Sequence, residues 1–138
     1  MAPTYHPTKL FTPEQANAML PLVRAIVSDL VTLSQEVYER RQRLARLTKG
    51  RELGDDPYAE ELVEMERELD RDGERIRGYA KELQDLGVEL KDPFTGLVDF
   101  PWERDGRTVY LCWQFDEAEV GHWHELDAGF GGRCPLDD

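Results

Sequence analysis

The 138-residue chain has few of the side chains on which the commonest catalytic sites and covalent frameworks depend. Its two cysteines, Cys112 and Cys134, are separated by 21 residues and form no Cys-x-x-Cys pair. Neither a disulfide framework nor a zinc ribbon is therefore indicated, and both thiols are expected to be reduced. The only serines, Ser28 and Ser34, fall in a helical pattern without a nucleophile elbow, which argues against a serine hydrolase.

Positive charge and long apolar runs are also scarce. The chain has 17 Lys and Arg against 29 Asp and Glu, a net charge of −12. This acidic surface repels phosphate backbones and anionic lipids, so we expect no nucleic-acid partner and no membrane partner. No run approaches the roughly 18 consecutive apolar residues that cross a bilayer, and residues 1–11 lack a signal-peptide pattern. We expect a soluble cytoplasmic protein with a single domain over residues 1–138.

The chain does contain two long helical patterns. Thr12, Pro13 and Gln15 together form a capping-box signature, which predicts a first helix over residues 12–49 with Gly50 as its stop. Pro21 is expected to kink or interrupt this helix. Beyond it, seam positions alternate in steps of four and three: Ile26, Leu30, Leu33, Val37, Arg40, Leu44 and Leu47.

A second helix is predicted over residues 56–86. Asp56 is its expected cap, Pro57 its first residue and Gly87 its stop. Its seam has the same spacing and consists of Tyr58, Leu62, Met65, Leu69, Asp72, Ile76, Tyr79, Leu83 and Leu86. Because the connection is short, the two helices should form a long antiparallel, coiled-coil-like hairpin.

Each seam contains one charged residue, and the two charges bear on how the helices are aligned. Pairing Arg40 with Asp72 would avoid burying either charge alone. The turn length instead favours Leu47 opposite Tyr58, which sets Arg40 against Met65. The sequence leaves both registers open.

The hairpin also suggests possible partners. Two helices alone cannot cover both seams, so we expect a homodimer with a four-helix core. The basic stretch over residues 40–51 is interpreted as solvated charge flanked by glutamates of the second helix. An acidic protein partner at this tip is the other interpretation.

After the second helix, the period of the apolar pattern falls from about 3.6 to two. Strands are predicted over residues 88–91, 97–100 and 108–115, joined by the turns "DPFTG" and "ERDG". Trp113 is expected on the face that packs against the helices. The predicted fold class is therefore α+β, with a small three-stranded antiparallel β tail over residues 87–138.

Three segments carry a resemblance to a known family: "FTPEQANAMLPLVR", "LGVELKDPFTGLVDFPWERDGRTVYLCW" and "GHWHELDAGFGGR". They resemble an uncharacterised prokaryotic family, domain of unknown function 2203, over nearly the whole chain. The resemblance implies a small soluble protein with two long helices and a short β tail. It implies no activity and no catalytic residue.

The last of these segments holds the candidate site. On an extended backbone, His122 and His124 leave the same face and are able to share one ion. On a helix, the usable pairs become Glu119 with His122 and His124 with Asp127. Four glycines leave the local conformation open.

The sequence accordingly predicts a divalent transition metal, zinc, manganese or iron, with Cys112 or Cys134 as a possible sulfur donor. The predicted ligands are His122, His124, Asp127, Glu119 and Glu125. "HELDA" is not a zincin motif, because Ala128 replaces its second histidine.

Three alternatives remain. In the first, Trp123, Leu126 and Phe130 anchor the tail and the histidines are half exposed. In the second, the protein is a non-catalytic interaction or scaffold module that dimerises through its hairpin. In the third, it is a metal-free enzyme with a deep pocket beside Cys112 and His124, although a buried, inert Cys112 is the expected case.

Overall fold

A computed structural model describes residues 5–51, 54 and 56–136. Two helices precede one five-stranded antiparallel sheet, which confirms the α+β class. The helices are α1 (Pro13–Thr48) and α2 (Ala59–Asp85). The strands are β1 (Glu89–Asp92), β2 (Leu97–Arg104), β3 (Arg107–Gln114), β4 (His122–His124) and β5 (Cys134–Pro135). A short 3-10 helix, Phe130–Gly132, precedes β5.

Helix α1 begins as its sequence predicts. The Thr12 hydroxyl accepts from the Gln15 backbone N–H at 3.1 Å, and the Gln15 side chain accepts from the Thr12 N–H at 3.0 Å. The prediction of an interruption at Pro21 is wrong, because α1 continues through it to Thr48. A single missing hydrogen bond is tolerated here because the helix packs along the sheet.

Helix α2 begins later than predicted. Asp56 does not cap it; its carboxylate instead accepts from the Tyr58 N–H at 2.8 Å and pairs with Arg51 at 3.0 Å. The first helical residue is Ala59, so the connection is longer than the sequence suggested.

The register of the hairpin follows the charges and not the shortest turn. Arg40 of α1 donates to the Asp72 carboxylate of α2. This hydrogen bond, opposed by partial burial, lowers the pKa of Asp72. The longer connection costs little, because the entropy of loop closure grows slowly with loop length.

The hairpin itself has a narrow core. Its buried cluster consists of Leu33 and Val37 of α1 and Leu69 of α2. Coiled-coil packing is not confirmed by this arrangement.

The prediction of three strands is wrong. Strands β4 and β5 contain three and two residues and have no alternating pattern long enough to identify them. They are strands because their backbones pair with those of adjacent strands. Tyr110 of β3 is opposite His124 of β4, and Trp123 of β4 is opposite Cys134 of β5. The strand order follows the chain, from β1 to β5.

The main core lies between α1 and one face of the sheet. Trp113 has no exposed surface, which confirms its predicted place, and its indole N–H donates to the Glu117 carbonyl at 3.0 Å. The Asn17 amide of α1 pairs with the backbone of Val120 through bonds of 2.7 and 3.2 Å. This pairing fixes the segment that leads into β4.

A glycine allows the β1–β2 turn to approach α1 closely. Gly96 has a φ of +70°, and a Cβ at this position would lie 2.8 Å from the Val27 side chain and 2.7 Å from Phe115. Both the backbone conformation and the close contact therefore exclude a larger residue.

Helix α1 is long and apolar enough to span a membrane by length and composition alone. The core helix of a soluble protein has the same properties. Val23, Val27 and Leu30 are buried within the protein, so this feature is weak evidence for a membrane segment.

Candidate metal centre

Three polar side chains meet on the sheet face opposite the helices. Asp99 of β2 is directly opposite Cys112 of β3, and His124 of β4 is opposite Tyr110 of β3. Because side chains alternate along each strand, these three side chains and that of Tyr110 lie on the same face of the sheet. Asp99, Cys112 and His124 are 2%, 0% and 3% exposed and lie on the face of the sheet away from α1 and α2.

The hydrogen bonds of His124 define its tautomer. Its Nδ1 lies 2.7 Å from the carbonyl oxygen of Glu125, which only accepts, so Nδ1 carries a proton and donates it. The other nitrogen, Nε2, lies 3.1 Å from both carboxylate oxygens of Asp99. One further proton between Nε2 and the carboxylate is required, because two acceptors at this distance would repel each other.

The environment raises the pKa of each of the other two groups. Burial raises the pKa of the Asp99 carboxyl, while His124 and a hydrogen bond from Cys112 oppose the shift. Burial, together with the Asp99 carboxylate, raises the pKa of the Cys112 thiol to about 12. Such a thiol is a poor nucleophile at neutral pH, and its lack of exposure denies a substrate access to it. The arrangement therefore does not favour the metal-free thiol enzyme.

The same arrangement suits a metal ion. Among the residues that the structure describes, Asp99, Cys112 and His124 form the one group of three potential ligands, with donor atoms all within 4.8 Å of one another. Histidine ligands commonly donate their second ring N–H to a carbonyl, as His124 does. A thiolate and a carboxylate together balance the charge of a divalent ion, which limits the cost of burying it.

A second polar network borders this group. The hydroxyls of Tyr5 and Tyr110 both donate to the Glu89 carboxylate, the latter at 2.8 Å. Burial would raise the pKa of Glu89, but these two bonds and one from Lys91 lower it overall. Burial and the same carboxylate raise the pKa of Tyr5 to about 12 and also raise that of Tyr110.

His122 lies on the same face as His124 but has different neighbours. Arg133 donates to His122 Nδ1, so the ring proton is on Nε2, and the Glu117 carboxylate lies 3.6 Å from Nδ1. The Arg133 side chain is only 9% exposed and also donates to Glu117. A buried guanidinium beside this imidazole repels a cation.

The remaining predicted ligands lie elsewhere. Glu125 pairs with Arg107, which lowers the pKa of that carboxyl. Glu119 is exposed and borders an open depression of about 370 Å³ together with Trp102. Asp127 is exposed. Of the five predicted ligands, His124 alone belongs to the group of three, and the roles of the other four stay predictions.

Sequence reasoning missed Asp99 as a ligand and named Cys112 only as an optional sulfur donor. The available signal was an acidic residue in the middle of the otherwise apolar strand "LVDFPW". Because it alternates with Val98 and Phe100, it lies on the opposite face of β2 from these two core residues. Cys134, the other possible sulfur donor, is exposed on β5.

The fold and the site together define a small α+β protein with a buried His/Cys/Asp group on the outer face of a five-stranded sheet. The chain belongs to the family of uncharacterised conserved proteins DUF2203, whose model matches residues 9–136. Comparison with curated proteins and with solved structures finds no match.

Proposed function

We propose that this protein binds one divalent transition metal ion through Asp99, Cys112 and His124. The observation that carries the proposal is the convergence of oxygen, sulfur and nitrogen donors within 4.8 Å of one another on three adjacent strands. The Nδ1–H of His124 donates to the Glu125 carbonyl, which leaves Nε2, directed at the Asp99 carboxylate, as the nitrogen that would bind the ion once the proton between them is displaced.

The donor set favours zinc. Thiolate and imidazole are preferred by zinc and disfavoured by magnesium and calcium, and three protein ligands leave one position of a tetrahedral site for another group. Because the ligands come from β2, β3 and β4, the ion would join three neighbouring strands. Its main effect would therefore be to stabilise the sheet, and no catalytic step is part of the proposal.

Titration of untagged protein with Zn²⁺ in competition with a chromogenic chelator tests the proposal. The wild type should bind one equivalent. Asp99→Asn and Cys112→Ser, which nearly preserve volume, should each weaken binding by about tenfold or more. Co²⁺ should give a thiolate charge-transfer band that is absent from Cys112→Ser.

Two matched variants serve as controls. His122→Gln changes the other histidine on the same strand, and Cys134→Ser removes the other thiol; both should bind zinc as the wild type does. Loss of binding in His122→Gln with unchanged binding in Asp99→Asn would favour the site that the sequence predicts at His122 and His124. Absence of one-equivalent binding by the wild type would overturn the proposal.

Homodimerisation through the hairpin is a second candidate function. It is supported by large side chains that are exposed along the hairpin, among them Tyr38, Leu47, Tyr58 and Val63. Sedimentation equilibrium should give twice the 16.0 kDa chain mass. Arg43→Glu with Arg46→Glu should reduce this mass if the basic tip takes part, whereas Arg77→Glu with Lys81→Glu should not. A wild-type monomer would contradict the candidate.

A further inference from the structure

The segment that precedes α1 lies across the bordering network of the candidate metal centre. This N-terminal strap, residues 5–11, is anchored at one end, where the Phe11 N–H donates to the Pro101 carbonyl at 2.7 Å. Phe11 is 2% exposed and packs edge-on against Phe100, with ring centroids 5.2 Å apart. This end of the strap is part of the protein core.

The other end is held by Tyr5. Its hydroxyl donates to Glu89, and its ring lies edge-on to Tyr110 with a centroid separation of 5.9 Å. The Tyr110 ring in turn lies 5.5 Å from the His124 ring. Tyr5 is therefore connected to the metal-binding group through one intervening side chain.

Between these two ends the strap is weakly held. His6, Thr8, Lys9 and Leu10 are exposed, and the strap forms no helix or strand. Segments with few buried contacts open at a lower free-energy cost than the global unfolding of the protein. Release of Tyr5 alone would free this part of the chain while Phe11 stays in place.

We propose that the strap is a lid over the Asp99, Cys112 and His124 group, hinged at Phe11 and latched by Tyr5. Two observations point to this lid. Each of the three side chains is at most 3% exposed. Tyr5 contacts Glu89, which lies opposite Asp99, and Tyr110, which lies opposite His124. The identity of the ligand rests on the proposed metal function, but the existence of the lid does not.

Thiol labelling of Cys112 tests the lid without any metal. In a Cys134→Ser background, 4,4′-dithiodipyridine reports Cys112 alone. Tyr5→Ala should accelerate labelling by about tenfold, because it removes both the hydrogen bond and the ring contact. Tyr5→Phe keeps the ring and should give a smaller acceleration.

The control variant is Tyr58→Ala, which removes an exposed tyrosine from the hairpin and should label at the parent rate. Labelling by local opening should depend weakly on low concentrations of urea, whereas labelling through global unfolding should depend steeply. A Tyr5→Ala rate equal to that of the parent would overturn the lid, as would a steep urea dependence in Tyr5→Ala.

Cobalt loading separates the lid from the metal function. If both proposals hold, Tyr5→Ala should accelerate Co²⁺ loading by a factor similar to that for labelling, while equilibrium affinity changes much less. If no Co²⁺ binds but labelling accelerates, the lid stands and the metal function fails. If Co²⁺ binds and neither rate changes, the metal function stands and the lid fails.

Discussion

The hairpin and the sheet each place an acidic residue against a basic one, but in different surroundings. Between the helices, the side chains of Arg40 and Asp72 are 33% and 18% exposed. On the outer face of the sheet, those of Asp99 and His124 are each 3% exposed, with the Cys112 thiol beside them. Water solvates the first pair and is excluded from the second.

This difference in exposure distinguishes an ion pair that aligns two helices from a group that is a candidate functional site. A partly solvated pair in a helix seam costs little and sets the register of the hairpin. A buried polar group is expensive, and apolar residues of similar size often replace such groups without loss of stability. The proposed metal function therefore rests on the three buried, convergent side chains of the sheet and not on the ion pair between the helices.

The largest expected effect comes from breaking one pair in each region. Asp99→Ala leaves His124 Nε2 buried without a partner and should lower the free energy of unfolding by about 3–5 kcal/mol. Asp72→Ala should cost only about 0.2–1 kcal/mol because its pair remains in contact with water. Urea unfolding measured without metal compares the two variants directly. Equal losses would show that the two regions do not differ as described.

The next effect concerns ligand-linked stability in the sheet. At a free Zn²⁺ concentration of roughly 100 times Kd, the wild type should gain about 2.7 kcal/mol of unfolding free energy. Cys112→Ser should lose most of this gain at the same zinc concentration. Asp72→Ala should retain it, because the hairpin takes no part in the site. An equal zinc response in Cys112→Ser would contradict the role of the thiol.

The smallest effect concerns the alkaline titration of the network beside the site. The folded pKa of Tyr5, about 12, lies above the ordinary tyrosine value of 10.0. Its contribution to stability is therefore fully present below pH 10 and is lost as the pH rises towards 12. Because Tyr5 is partly exposed, this loss should be about 1 kcal/mol or less.

The measurement is a pair of pH titrations, of phenolate absorbance and of urea unfolding, on the wild type and Tyr5→Phe. The phenolate signal lost in the variant should be centred near pH 12, and the stability of the variant should fall less between pH 10 and 12. A difference signal centred near pH 10 would show that Glu89 does not hold the Tyr5 proton.

Much of the fold was predictable because its signals are local. The capping box at Thr12, the helical seams and the placement of Trp113 each depend on residues close together in the chain. The hairpin register was not predictable, because one seam fits more than one alignment. An ion pair between residues 32 positions apart selected among them.

The candidate site was only partly predictable for a related reason. The extended backbone at His122 and His124 was one of two conformations considered, and it is the one adopted. The separation of the two imidazoles depends on their cross-strand neighbours. Arg133 contacts one ring, and Asp99 contacts the other.

By itself, the sequence determined the two helices, the central strands and the residue types available for chemistry, because periodicity and capping act over a few positions. Tertiary structure alone decided which carboxylate, thiol and imidazole meet. Strand pairing places Asp99 opposite Cys112 and brings His124 beside them, across separations of 13 and 25 residues. Hydrogen bonds between backbones set that register. Because every residue carries nearly the same backbone groups, the side-chain sequence does not by itself reveal which residues pair.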